Sequence, residues 1–235
     1  MKLFILKNKK AGDKKAFEII KKQVKTKPNS LIGLAAGKTT DSLYKLISKD
    51  VLNYPKAWVK SKIFQIDEKL GKDSRKSFSH ELQQELKPLF KILSPENIFL
   101  MDGNKNPKLT IKNAKHFLKE KIDFLILGIG PEYDPHIAYN TKGQTNLKSS
   151  IRVVNLHVVG SPSRGAQIRG ITIGIKEILA SKKILLLAYT KKKADSLHLA
   201  FNGKVDIKNV PASALQLHKD LYVVIDKDAG CKISV

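Results

Sequence analysis

Three short stretches carry side chains that could do chemistry, and two of them add glycines that let a ligand come close. Phe64-Gln65-Ile66-Asp67-Glu68 ends an apolar run on two adjacent acids. A carboxylate placed there can take a proton from carbon or hydroxyl if partial burial raises its pKa toward neutrality, although a solvated turn would use acids too. Gly128-Ile129-Gly130-Pro131-Glu132-Tyr133-Asp134-Pro135-His136-Ile137-Ala138-Tyr139-Asn140 sets a histidine beside acids. Such a pair is the minimal acid–base unit, and the glycines let backbone amides face a ligand. In Ala35-Ala36-Gly37-Lys38-Thr39-Thr40, a glycine precedes a helical run that begins at Asp41. Amides at such a helix start favour a phosphate, while Thr39 or Thr40 could equally cap an ordinary strand-to-helix turn. Only three residues separate Gly33 from Gly37, so this is not a Walker A loop. No second histidine or cysteine stands at ligand spacing from His136, which argues against a metal site. His116, His157 and His198 lack acidic company and read as surface or core residues.

These loops can act together only if the elements around them bring them to one place. Strand-length apolar runs occur at Leu3–Leu6, Leu31–Leu34, Lys62–Ile66, Asn97–Leu100, Phe124–Leu127, Ile151–Leu156, Ile184–Ala188 and Leu221–Ile225. Nearly continuous apolar character suits parallel strands buried on both faces. Between them, Ala16–Val24, Thr40–Ser48, His80–Phe90, Lys108–Lys119, Ile171–Ala180 and Lys193–Asn202 carry apolar residues at helical spacing. The alternation predicts an α/β fold, a doubly wound, mostly parallel three-layer sheet of Rossmann-like type. Neither a repeat nor a low-complexity linker divides the chain, so residues 1–235 are expected to form a single domain. In such a sheet the ligand crevice lies at the carboxyl ends of the strands, where all three loops fall.

The 44 basic and 21 acidic residues give a formal charge of +23. That field attracts anions, but it speaks to encounter rather than to fold or chemistry. The lysines are scattered, with Lys191-Lys192-Lys193 the tight cluster beyond the N-terminal region, and aromatics at 7% do not interleave with them. No specific nucleic-acid partner is therefore expected. One cysteine, Cys231, excludes an intrachain disulfide and makes the cytoplasm the default location. The apolar Leu3–Leu6 is too short for a signal peptide or a membrane span, so no membrane partner is expected.

Taken in order, the loops resemble those of the glucosamine-6-phosphate deaminase (isomerase) and 6-phosphogluconolactonase family, and the likeness covers nearly the whole chain. Ile32-Gly33-Leu34 with Gly37 and Thr39 is similar to the family's phosphate loop; Ile66-Asp67-Glu68 and Ser77-Phe78 are similar to its Leu-Asp-Glu and Ser-Tyr. Leu127 to Asn140 resembles Gly-x-Gly-x-Asp-Gly-His-Ile-Ala-Phe-Asn. Ile171–Ile175, Leu100–Asn104 and above all Pro211–His218 resemble deaminase rather than lactonase segments. The resemblance implies conversion of glucosamine 6-phosphate to fructose 6-phosphate and ammonia, with a sugar phosphate as partner and no cofactor, because the substrate's own carbonyl is the electron sink. It implies that Gly37, Lys38 and Thr39 hold the phosphate with help from Lys193. Asp67 would move the proton between carbons, and His136, oriented by Asp134, would open the ring. Glu68, Gly130 and Thr141 are further candidate substrate contacts, and a homo-oligomer is compatible with the pattern.

The chain also departs from that pattern. Pro131–Pro135 is two residues longer than the family's segment, so either Glu132 or Asp134 could be the orienting acid, with Asp134 keeping the Asp-x-His spacing. Thr141 stands where deaminases carry a glutamate, which leaves a lactonase or a catalytically weakened sugar-phosphate-binding protein as alternatives. Arg152, Arg164 and Arg169 are all candidates for the family's phosphate-binding arginine.

Overall fold

The computed structural model describes residues 1–71, 76–156 and 168–234. Strands β1 (Lys2–Leu6), β2 (Leu31–Leu34), β3 (Lys62–Gln65), β5 (Ile98–Phe99), β6 (Phe124–Gly128), β9 (Ile184–Ala188) and β10 (Leu221–Asp226) form a seven-stranded sheet in the order β1-β10-β9-β6-β2-β3-β5. Every pairing in it is parallel. Continuous apolar runs are what this arrangement needs, because alternate residues of one strand enter different cores. Phe124, Ile126, Leu185, Leu187 and Val224 face one core, while Leu125, Leu127, Leu186, Val223 and Ile225 face the other.

Helices α1 (Lys9–Thr26), α2 (Asp41–Asn53), α3 (Pro55–Trp58), α4 (Phe78–Glu85) and α5 (Lys87–Ile92) cover the first face, through residues such as Ile20, Ile47, Trp58, Leu82 and Leu89. Helices α6 (Pro107–Phe117), α7 (Ile175–Ala180) and α8 (Ala194–Phe201) cover the second, through Ala114, Ile178 and Leu197. The result is the expected doubly wound, three-layer α/β fold.

A second, antiparallel sheet of three strands departs from expectation: β4 (Asp67–Lys69), β8 (Ile168–Thr172) and β7 (Arg152–Leu156), in the order β4-β8-β7. The strand expected at Ile151–Leu156 therefore exists but lies outside the main sheet. The helix expected over Ile171–Ala180 is a strand up to Thr172 and a helix only from Ile175. Ile171 and Ile173 alternate as strand residues do, and Gly174 marks the change as the residue capping α7. The helix expected over His80–Phe90 is two helices that break at Leu86, since Pro88 lacks an N–H and crowds the preceding turn.

Candidate active site

The carboxyl ends of the central strands surround a pocket of about 170 Å³. Its wall takes Thr39 and Thr40 from the turn after β2, Asp67 from β4, and His136 and Tyr139 from the loop after β6, with Phe78 at the start of α4.

Gly37 turns the chain at φ +116°, a conformation that favours glycine. Thr40 closes the turn, with its N–H and its hydroxyl both donating to the Gly37 carbonyl at 3.0 Å. The amides of Gly37, Lys38 and Thr39 donate to no group among the described residues. They lie in the turn that leads into α2, where free backbone donors close to the positive end of the helix dipole favour an anion. The Lys38 side chain is exposed and outside the wall.

At Ile66 the chain leaves the central sheet for the small one: its N–H donates to Leu34 and its carbonyl accepts from Ile173. The next two residues meet opposite fates. Glu68 is fully buried, and its carboxylate accepts from the N–H groups of Lys69 at 2.8 Å, Phe78 at 3.0 Å and Ser79 at 2.8 Å, and from Gln65 Nε2 at 3.0 Å. It ties β4 to the first turn of α4 and does not line the pocket. Asp67 is 7% exposed and opens onto the pocket, and its carboxylate has no hydrogen-bond partner among the described residues. Burial, with a further push from Glu68, raises its pKa to about 7.

In the third loop, the Asp134 carboxylate lies 3.0 Å from His136 Nδ1 and accepts the Lys142 N–H at 2.8 Å with its other oxygen. That arrangement leaves His136 Nε2 as the nitrogen for a ligand. The longer Pro131–Pro135 segment folds into a turn, with the Asp134 N–H donating to the Pro131 carbonyl at 3.0 Å. Glu132 and Tyr133 stand exposed on it, so geometry selects Asp134 over Glu132 as the histidine's neighbour. Gly130 is needed where the loop doubles back: a Cβ there would lie 2.3 Å from the Asp134 carbonyl and 2.5 Å from His136 Nδ1. The Ala212 N–H donates to the Pro135 carbonyl at 2.9 Å, so the Pro211–His218 segment braces this loop from behind.

The remaining candidates are spread around the pocket. Lys193, at the start of α8, donates to the carbonyl of the pocket residue Ile129 at 2.6 Å, and burial lowers its pKa. Thr141 is buried and not part of the pocket wall; its hydroxyl accepts from Gln144 and its carbonyl accepts from Thr145. Arg152 is committed to bracing the loop, donating to Asn140 Oδ1 at 3.0 Å and to the Gln144 carbonyl and Thr145 hydroxyl at 3.2 Å. Arg169 is exposed; Arg164 and His157 lie outside the described residues. Phe78 and Tyr139 were legible only as parts of larger motifs, yet both line the pocket, with their rings stacked at 5.9 Å.

Free amides, a partnerless buried carboxylate and a carboxylate-backed histidine around one small hollow define an α/β protein suited to acid–base chemistry on a small anion. The chain matches the family described as glucosamine-6-phosphate isomerases/6-phosphogluconolactonase over residues 9–223. It is 36% identical over 251 aligned residues to a glucosamine-6-phosphate deaminase of Clostridium novyi, covering 99% of this chain and 100% of the relative. It is 33% identical over 248 residues to one of Clostridium botulinum, covering both chains fully. A solved monomeric glucosamine-6-phosphate deaminase superposes with a TM-score of 0.86 at 27% identity, over 99% of this chain and 100% of the other. The 6-phosphogluconolactonase of Trypanosoma cruzi shares the fold, with a TM-score of 0.77 at 17% identity over 100% of this chain and 97% of the other. The chain belongs to the glucosamine-6-phosphate isomerase/6-phosphogluconolactonase family.

Proposed function

We propose that this chain is a glucosamine-6-phosphate deaminase, converting glucosamine 6-phosphate and water to fructose 6-phosphate and ammonia. Full-length relatives at 33–36% identity bear that name. The observation that carries the mechanism is Asp67: a buried carboxylate, bare of partners, that opens onto the pocket with a pKa near 7. A base in that condition is available at neutral pH and is not quenched by a salt bridge.

The phosphate sits on the amides of Gly37 to Thr39, with the Lys193 ammonium, held at the Ile129 carbonyl, as a charged donor. His136, held by Asp134, passes the ring proton and opens the pyranose. Asp67 then takes the proton from C2 while the electron pair moves to the C1 carbonyl oxygen, which takes up a proton; returning a proton to C1, with loss of one from nitrogen, leaves an imine at C2. Water displaces ammonia from that imine. No residue in this scheme needs a metal or cofactor to act. We take residues 1–235 as one unit, a reading supported by the pairing of the first strand, β1, with the last, β10. Among the described residues no helix is long and apolar enough to cross a membrane, and we place the enzyme in the cytoplasm.

The test offers the purified protein glucosamine 6-phosphate and, separately, 6-phosphogluconolactone. Ammonia release well above the uncatalysed rate supports the deaminase. Lactone hydrolysis without ammonia release would promote the lactonase, and binding without turnover would indicate a sugar-phosphate-binding protein.

A further inference from the structure

We propose that the Tyr139 hydroxyl is a substrate-contacting group, a hydrogen-bond partner for a sugar hydroxyl supplied from the wall beside Asp67. The inference rests on the deaminase reading and adds to it a residue that determines how the sugar is held. Tyr139 lines the same pocket as Asp67 and His136. Its hydroxyl has no hydrogen-bond partner among the described residues and is not sealed from solvent. A phenol in a pocket wall ordinarily finds a partner, and here the available one is the ligand.

The ring is held from three sides. It stacks on Phe78, it packs where a Cβ on Gly170 would lie 3.0 Å away, and the backbone N–H of Tyr139 donates to the Thr172 hydroxyl at 3.0 Å. Thr172 is the residue paired with Asp67 across β4 and β8. One strand pair therefore carries both the carboxylate and the backbone anchor of the phenol, and the two groups keep a fixed relation while substrate binds. Burial and then the Asp67 charge raise the phenol's pKa, so at neutral pH it keeps its proton and can donate.

Tyr139→Phe removes only the oxygen and keeps every ring contact. Its kcat/KM for ammonia release should fall about tenfold, the equivalent of one lost hydrogen bond, with Tm unchanged. Adding Phe78→Tyr to that variant returns a hydroxyl to the stack and should recover at least about threefold of the loss. A kcat/KM within about twofold of wild type in Tyr139→Phe would overturn the proposal. So would a loss that tracks a lowered Tm and is not recovered by the double variant. If the wild type releases no ammonia, the deaminase reading fails separately, and the Kd for glucosamine 6-phosphate decides the contact. A roughly tenfold weaker Kd in Tyr139→Phe supports it; equal values, or no binding by wild type, overturn it.

Discussion

Two buried aspartates stand at opposite ends of the central sheet. Asp123, just before β6 at the amino end, is 3% exposed and accepts from Lys27 Nζ at 2.5 Å, Lys182 Nζ at 2.8 Å and the Leu31 N–H at 3.0 Å. Burial alone would push its pKa up, but the hydrogen bonds from Lys182, Lys27 and Leu31 outweigh it and hold the carboxyl below its ordinary value. Asp67, just after β3 at the carboxyl end, is buried almost as deeply and has none of these partners, so its pKa rises to about 7. Burial pushes both the same way, and the partners decide which becomes a brace and which stays a base.

The sharpest way to break the contrast is Asp67→Asn. Ammonia release should fall by about 10³-fold while the Kd for glucosamine 6-phosphate changes little, since the base is lost and the shape kept. A carboxyl raised by folding destabilises the native state once pH exceeds its unfolded value. The same variant should therefore be more stable than wild type at pH 8, by as much as about 4 kcal/mol in a urea melt. Joint loss of binding and activity would instead make Asp67 a scaffold residue.

Asp123→Asn should do the reverse. We expect a loss of about 2 kcal/mol at pH 7, with ammonia release per folded molecule unchanged. Because folding lowers this pKa, its contribution is present above the unfolded value near 4 and lost as pH falls through the folded one. The difference between wild type and variant should close in acid melts. A third test is the pH profile of wild type, where kcat/KM should climb about tenfold per pH unit below pH 7 and level above it as Asp67 ionises. A profile flat from pH 5 to 8 would remove Asp67 as the base.

The smallest effect is expected from Thr141→Glu. Asp134 already backs His136 at 3.0 Å, and Thr141 faces Gln144 and Thr145 rather than the pocket. Ammonia release should change less than about threefold. A large gain would mean that the histidine lacks its orienting acid in wild type.

The seven-stranded core was legible because its strands are almost wholly apolar and its helices show one apolar stripe. Asp67, His136 and the Gly37 turn were legible because loops after buried strands concentrate polar residues and glycines. The small sheet was not: β4 reads Asp67-Glu68-Lys69, three charged residues with no strand signature. What makes it a strand is pairing with β8, a hundred residues later. The division of labour between Asp67 and Glu68 was hidden for a similar reason. It depends on amides at Phe78 and Ser79, which reach Glu68 only after α4 folds back on β4.

The pairing of β1 with β10 has a consequence for synthesis. Lys2 pairs with Tyr222, 220 residues downstream, and among the described residues β1 has no other strand neighbour. At roughly 5–20 residues per second, the first strand made waits about 10–40 s for its partner to be translated. For that interval Leu3-Phe4-Ile5-Leu6 is an apolar strand without a sheet, held in check by the lysines at positions 2, 7, 9 and 10. The cationic excess that contributes little to the chemistry thus works as a gatekeeper on the unfinished chain.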